Sequence, residues 1–129
     1  KESIKFLKDS WLPARRIVLK AISERFEFDK SGKIIVLDKF CPWRGIVDEE
    51  NKDILYVVYK QNAWRIMAVS EYSFKSKKPL KSEWRGLTNE KLEKVSGIKG
   101  AIFVHATGFT GGSKTIEGVL EMAKKSMID

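Results

Sequence analysis

A glycine-rich segment, GFTGGSKT, occupies residues 108–115, after the apolar run AIFVH and before a segment with helical spacing. The phosphate-binding loop of many nucleotide hydrolases has the pattern G-x-x-x-x-G-K-[ST] between a strand and a helix, where backbone N–H groups hold phosphate oxygens. If Gly108 is the first glycine of that pattern, the second falls on Ser113, so the match fails at one position. The spacing therefore disfavours a nucleotide hydrolase of this class.

The same segment keeps the groups that bind an anion. Its glycines permit positive φ and close approach of a ligand to the backbone, its serine or threonine hydroxyl can cap the next helix, and its lysine adds a positive charge. A phosphate or carboxylate site and a tight β-to-α turn with a serine cap explain the spacing equally well, and both interpretations stay open. The candidate substrate-binding residues of this segment are Gly108, Gly111, Gly112, Ser113, Lys114 and Thr115.

His105 ends the preceding apolar run, three residues before the first glycine, and in a strand it shares a face with Phe103. A structural role and a role at the mouth of the glycine segment are both open for it. It cannot hold a metal ion by itself, because the sequence has no second histidine and no Asp/Glu cluster at convincing ligand spacing. The sequence therefore predicts no metal site and no cofactor in this chain.

Three arginines stand beside a tryptophan: Arg44 in PWR, Arg65 in AWRIMAV and Arg85 in EWRG. Such an arginine can present a planar donor fork to phosphate while its stem packs on the ring. A surface ion pair with the same packing is the alternative. In a basic chain, three such pairs favour a cationic, aromatic surface suited to single-stranded nucleic acid.

Composition narrows the function classes further. The chain carries 25 Lys and Arg against 17 Asp and Glu, and the resulting charge of +8 favours polyanionic partners. Its 129 residues, 43% of them hydrophobic, predict one compact domain over residues 1–129 rather than a disordered chain. The longest apolar runs fall far short of the roughly 20 residues that a membrane span needs, so no membrane partner is expected.

Cys41 is the only cysteine, so it cannot form an internal disulfide, which fits a reducing compartment. A nucleophilic role is disfavoured, because one histidine is available to activate it and an apolar setting raises the pKa of a thiol.

The pattern of the chain predicts a small α/β (α+β) fold, in which helices pack on a mixed β-sheet. Its apolar run makes GAIFVHA the strand expected to be most buried. The lysine-rich stretch after the hairpin contains Phe74 and Trp84, so it is not a plain solvated linker. The predicted elements are a helix in LPARRIVLKAISERFEFD with Pro13 in its first turn, a strand near 33–38, a loop at 42–45 that opens a short helix, a hairpin of DILYVVYK and WRIMAVS, a helix from Thr88 or Asn89 to Gly97, the strand GAIFVHA, and a helix in SKTIEGVLEMAKKSM.

Several stretches together resemble one known family. CPWR, WRIMAV, SFKSKKPL, EWRGL, the opening W-x-P-A-R and the long block SGIKGAIFVHATGFTGGSKTIEGVLEMA are similar to the carboxyl-terminal half of the melanocyte-proliferating-gene family, a branch of the DHH phosphoesterase superfamily. The likeness runs from about Trp11 to Lys125, and FVHATGFTGGSKT is its specific part. Two positions depart from it: Ile116 stands where many relatives carry an arginine, and Gly45 where a larger or charged residue is usual. The first removes a cation that would have aided anion binding.

The resemblance implies a two-lobed, metal-dependent hydrolase of which this chain is the substrate-binding lobe, of the DHHA1 type. A missing amino-terminal DHH-like lobe would hold divalent metal (Mn or Mg), so the chain alone is expected to be inactive. The implied activity is a 3′-to-5′ exonuclease on RNA or a short oligonucleotide in the nucleus or mitochondria, and a homo-oligomer is allowed. His105, the 108–115 segment and Arg65 would contact the substrate. A non-catalytic basic RNA-binding module and a protein-interaction domain with a purely structural glycine loop remain as alternatives.

Overall fold

The computed structural model describes residues 2–50, 53–72, 75–76 and 78–128, and its main feature is a five-stranded mixed sheet with helices on both faces. The predicted α/β class is therefore confirmed. The elements in chain order are α1 (Glu2–Ser23), α2 (Arg25–Phe28), β1 (Ile34–Val36), α3 (Arg44–Glu50), β2 (Tyr56–Gln61), β3 (Ala63–Ala68), β4 (Ser70–Tyr72), β5 (Lys75–Ser76), a 3₁₀ turn (Ser82–Trp84), α4 (Asn89–Ser96), β6 (Ala101–Val104), β7 (Thr110–Ser113) and α5 (Ile116–Ile128).

The strands of the main sheet lie in the order β1-β2-β3-β7-β6. β1 runs parallel to β2, and every other neighbouring pair is antiparallel. The predicted hairpin of β2 and β3 is confirmed, and it turns at Asn62, which has a φ of 68°. Strands β4 and β5 form a separate two-stranded sheet.

Side chains alternate between the two faces of the sheet and build two cores. On one face, Tyr56, Val58 and Ile66 pack against α4 and α5. On the other face, Val57 and Tyr59 pack against α1 and α3. Among the side chains that the structure describes, the second core covers the β1 and β2 side of the sheet, and fewer cover the β7 and β6 side of that face.

Two helices follow the predicted boundaries closely. α4 begins after Thr88 and ends at Gly97, which has a φ of 72°, the left-handed conformation that glycine adopts readily at a helix end. α5 begins after Thr115, whose Oγ1 accepts a hydrogen bond from the N–H of Gly118 at 3.1 Å. Of the two predicted caps for this helix, the threonine is therefore the one that acts.

Two predictions are wrong. Pro13 lies inside α1 rather than in its first turn, because the helix extends back to Glu2; proline removes one backbone donor, but Ala14 and Val18 on the following turns are held in the second core. The strand predicted to be most buried, β6, is an edge strand in which Ile102 and Phe103 are partly exposed.

The lysine-rich stretch is not a plain linker, as predicted, since Trp84 is 2% exposed and belongs to the first core. Phe74 lies outside the described residues. No helix in the part of the chain that the structure describes is long and apolar enough to cross a membrane.

Candidate functional site

The glycine segment is a strand in its middle rather than a continuous loop. Residues Thr110–Ser113 form β7, a buried strand between β3 and β6. Gly108 has a φ of 77° and makes the turn into it, as the sequence predicts. Gly111 and Gly112 do not use the positive φ that glycine permits, since neither is among the described glycines with positive φ. Extended backbone is what a strand paired on both sides requires.

Gly111 and Gly112 leave room for neighbouring groups to approach the backbone of β7 closely. A Cβ on Gly112 would lie 2.8 Å from Cε1 of Phe103, and a Cβ on Gly111 would lie 3.0 Å from the backbone oxygen of Phe103 and 3.1 Å from Cδ1 of Leu80. An aromatic ring on one strand often covers a glycine on the next in this way. The bare backbone of β7 therefore lets the Phe103 ring pack closely against Gly112.

Ser113 and Lys114, after the glycines, are placed very differently. Ser113 is fully buried, its Oγ donates to the backbone oxygen of Gly100 at 3.2 Å, and it accepts from the N–H of Thr115 at 3.4 Å. The Lys114 side chain is exposed, while its N–H donates to the same Gly100 oxygen at 2.9 Å. Ser113 thus fixes the chain between β7 and α5 and has no exposed surface for a ligand.

His105 lies in the turn before β7, at the opposite end of that strand from Lys114. Its ring is exposed and meets Phe109 edge-on at 4.7 Å between centroids. Its Nδ1 accepts from the N–H of Thr107 at 3.2 Å, which in a neutral ring leaves Nε2 as the donor. The structure therefore does not gather His105 and Lys114 into one cradle, and their contact with substrate stays a prediction.

A different group converges across the sheet. The strand register sets Tyr59 opposite Arg65, Arg65 opposite Gly112, and Gly112 opposite Phe103. Residues directly opposite one another project to the same face. The Cζ of Arg65 lies 5.9 Å from the Phe103 ring centroid, within the range of a cation–π contact. Arg65, predicted from its sequence neighbours, is thus held between two aromatic side chains of the sheet.

This row lies on the less covered part of the sheet. Helices α4 and α5 pack on the opposite face of β3, β7 and β6, where the first core lies. Arg65, Met67 and Phe103 are accordingly each partly exposed. An exposed guanidinium beside an aromatic ring can accept a phosphate and stack a base, which gives the row a chemical use.

Arg44 extends the row beyond β2. Its Cζ lies 4.9 Å from the centroid of the Trp43 ring. Burial raises the pKa of Tyr59, while the charges of Arg65 and Arg44 act in the opposite direction. Neither arginine has an acidic partner among the side chains that the structure describes. We call Arg44, Tyr59, Arg65, Phe103 and Gly112 the aromatic–arginine face.

The third predicted tryptophan–arginine pair is structural. Trp84 is buried, and Nε of Arg85 donates to the backbone oxygen of Leu80 at 3.0 Å. Arg85 also packs on Gly108, where an added Cβ would lie 2.7 Å from its Nε. The arginine therefore holds the turn before β7 instead of facing a ligand.

The described residues offer binding groups more than reactive ones. No group of three or more His, Cys, Asp or Glu side chains in the described ranges could hold a metal ion, so the residues present there do not fit a metal centre. Cys41 is 6% exposed, and burial raises the pKa of its thiol, as the sequence predicts. The arrangement can grip and orient an anionic, planar ligand.

Sequence reasoning missed Phe103 and Tyr59 as members of this face. Tyr59 lies opposite Arg65 in the β2–β3 hairpin, where a short connection sets the register. Phe103 reaches Arg65 only through β7, by a pairing of strands distant in sequence that the alternation within one strand does not reveal. One local signal exists for Phe103: an aromatic residue and a glycine occupy the two arms of the β6–β7 hairpin.

The comparisons with known proteins agree on one family. The family model described as "Uncharacterised protein family (UPF0160)", of the MYG1 exonuclease type, matches residues 1–127. The chain is 43% identical to a human protein named MYG1 exonuclease, over 98% of this chain and 36% of that protein. It is 45% identical to MYG1 protein YER156C of Saccharomyces cerevisiae, over 92% of this chain and 38% of that protein. A Dictyostelium discoideum MYG1 protein is 44% identical, over 92% of this chain and 39% of its own length.

These relatives are much longer than the chain, which spans less than two-fifths of the human and yeast proteins. No solved structure matches the chain significantly. The family match over nearly every residue, together with relatives above 40% identity, shows that the chain belongs to the MYG1 family.

Proposed function

We propose that this chain is the substrate-binding part of a MYG1-family exonuclease, and that it holds an unpaired end of RNA on the aromatic–arginine face. The observation that carries the proposal is Arg65, a partly exposed arginine between Tyr59 and Phe103 with no acidic partner among the described side chains. Support also comes from human and bovine relatives that are named exonucleases.

The chemistry of the face suits a nucleotide. The guanidinium of Arg65 would pair with a phosphate through two parallel N–H donors, while a base would stack on the Phe103 ring. Neither contact reads base identity, so a binder of this kind accepts many sequences. The net charge of +8 would add long-range attraction for the rest of the strand.

Finer parts of the proposal follow from the resemblance given above. The enzyme would degrade RNA from its 3′ end in the nucleus or mitochondria. Its divalent metal, manganese or magnesium, would be bound by a DHH-like lobe in the part of the relatives that this chain does not span, and would supply the hydrolytic chemistry. This chain would then form a DHHA1-like lobe whose own residues bind and orient the strand.

The proposal is tested by titrating the chain with a short fluorescent single-stranded RNA at several salt concentrations. Arg65→Met should weaken binding about 10- to 100-fold, the usual effect of losing a charged hydrogen bond. If Arg65 contacts one phosphate, the slope of log affinity against log salt should fall by about 0.7. Arg65→Lys should recover the slope but only part of the affinity, because lysine keeps the charge without the planar fork.

Arg16→Met is the matched control, since it removes the same charge from an exposed position on α1. Equal losses in Arg65→Met and Arg16→Met would mean that charge alone binds RNA, which is the behaviour of a non-catalytic basic module. Lys114→Ala tests the glycine segment separately. A loss there, with Arg65→Met unchanged, would move the site to the junction between β7 and α5 and refute the role of the face.

A further inference from the structure

A pocket with aromatic side chains lies next to the aromatic–arginine face, beyond the end of β1. Phe40 is 48% exposed, yet its ring centroid lies 4.9 Å from that of the buried Tyr59. The next aromatic residue, Trp43, is buried and carries the guanidinium of Arg44 over its ring. A pocket of about 280 Å³ opens here, lined by residues 40–46.

We infer that this pocket binds the base of a second unpaired nucleotide, adjacent to the one held at Arg65. The inference rests on the proposed function and extends it: the shortest RNA that fills both positions is two nucleotides of a single strand. Tyr59 links the two positions: it is the strand partner of Arg65 and the ring neighbour of Phe40.

The pocket combines two requirements that a nucleotide meets together. The exposed Phe40 ring offers a π-face to a planar group, which a bare phosphate or carboxylate would not use. Arg44 has no acidic partner among the described side chains, so a purely apolar ligand would leave its charge unpaired. A stacked base with its phosphate at Arg44 satisfies both.

The size of the pocket sets a limit on the occupant. Its volume of about 280 Å³ lies just below the range of small-molecule sites, about 300–1,000 Å³. One planar ring system fits such a space better than a larger ligand. A base inside a duplex is paired and stacked on its neighbours, so only an unpaired nucleotide could present its ring to Phe40.

The electrostatics favour the same occupant. The charges of Arg44 and Arg65 both act on the Tyr59 hydroxyl and partly offset the rise in its pKa that burial causes. Arg65 lies opposite Tyr59 in the β2–β3 pairing, and Arg44 lies over the Trp43 ring beside the pocket. A ligand with one phosphate near each arginine would neutralise both charges, and a single strand carries one phosphate for each nucleotide.

The experiment compares a mononucleotide, a dinucleotide and a tetranucleotide of the same RNA sequence, all titrated against the whole chain. Affinity should rise steeply from the mononucleotide to the dinucleotide. Phe40→Leu should weaken dinucleotide binding about fivefold to 100-fold, the effect of losing one base stack, and leave mononucleotide binding unchanged. Gly45→Glu should weaken it as well, since it places a negative charge beside Arg44 at a position where an added Cβ meets nothing within 4 Å.

The chain provides a matched control at the other end of β1. Phe26 is 58% exposed, and the Cζ of Arg25 lies 4.5 Å from its ring, so this pair has the same chemistry outside the proposed site. Phe26→Leu should leave RNA binding unchanged. A 2-aminopurine base placed next to the terminal nucleotide gives a second readout: its fluorescence should be quenched on binding, and Phe40→Leu should abolish the quenching.

Different results overturn different claims. If Arg65→Met weakens the dinucleotide but Phe40→Leu and Gly45→Glu do not, the second subsite is wrong and the proposed function stands. If neither Arg65→Met nor Phe40→Leu changes binding, both the second subsite and the proposed function are refuted. Equal binding of a duplex and a single strand would also refute the pocket, because the paired base cannot enter it.

Discussion

Gly118→Ala should destabilise the chain, although alanine is the better helix former by about 1 kcal/mol. Gly118 lies in the first turn of α5, and a Cβ there would be 2.0 Å from the Oγ of Ser113 and 2.7 Å from its Cβ. Ser113 is fully buried and holds Gly100 and Thr115 through hydrogen bonds, so it cannot turn away freely.

The magnitude follows from the two ways in which the overlap can be relieved. If Ser113 rotates, two hydrogen bonds of about 1 kcal/mol each are lost. If the helix shifts instead, the overpacked contact costs about 1–3 kcal/mol. After the helical gain is subtracted, the net loss is about 1 kcal/mol if Ser113 rotates and up to about 2 kcal/mol if the helix shifts, and the melting temperature should fall by up to about 10 °C.

Urea denaturation and thermal melting of four chains measure this: the parent, Gly118→Ala, Ser113→Gly and the double variant. Ser113→Gly removes the atoms that collide, so the double variant should be more stable than the sum of the single losses by about 1–2 kcal/mol. Gly45→Ala is the control, since Gly45 lies in helix α3 with open space around it. It should gain up to about 1 kcal/mol. A Gly118→Ala chain as stable as the parent, or additive single losses, would refute the reasoning.

Three further predictions concern the cap, the bare strand and a buried tyrosine. Thr115→Ala should lower the free energy of unfolding by about 1 kcal/mol in urea, because it removes the cap on Gly118, and Thr115→Ser should retain most of it. Gly112→Ala should displace the partly exposed Phe103 ring and weaken binding in the titration with fluorescent RNA. The free energy of unfolding should change by less than about 1 kcal/mol. Unchanged RNA binding would show that Phe103 is not part of the site. Burial raises the pKa of Tyr56 above its ordinary value of 10.0, so the unfolded chain deprotonates first and stability should fall as pH rises beyond that value. Urea midpoints from about pH 8 to pH 11 should decline less in Tyr56→Phe, and an equal decline would assign the pH dependence to other groups.

Local signals predicted the elements whose boundaries depend on neighbouring residues. The end of α4 at Gly97 follows from the left-handed conformation of glycine, which acts within one turn of the chain, whereas Thr88 at its start makes no side-chain cap hydrogen bond. The β2–β3 hairpin follows from two strand-like runs with a short polar connection. In each case the deciding interaction joins residues close in sequence.

Strand β7 could not be predicted in this way. The residues Thr-Gly-Gly-Ser have low strand propensity and resemble a turn. They form a strand because β3 and β6 supply backbone partners on both sides and because Phe103 occupies the space that side chains would need. The sequence located the segment as unusual and named Arg65. Tyr59 meets Arg65 within the local β2–β3 hairpin, but Phe103 joins them only through the long-range pairing of β3 with β7.

The position of β7 between β3 and β6 has a consequence for synthesis of the chain. Strands β1, β2 and β3 can pair once residue 68 has left the ribosome, and their sheet then ends in an open edge along residues 64–67. The β6–β7 hairpin closes that edge only after residue 113 has emerged. An open strand edge can pair with other chains, so aggregation is most favoured during this interval. Ribosome pausing between β3 and β7 should therefore lower the soluble yield, and pausing after β7 should not.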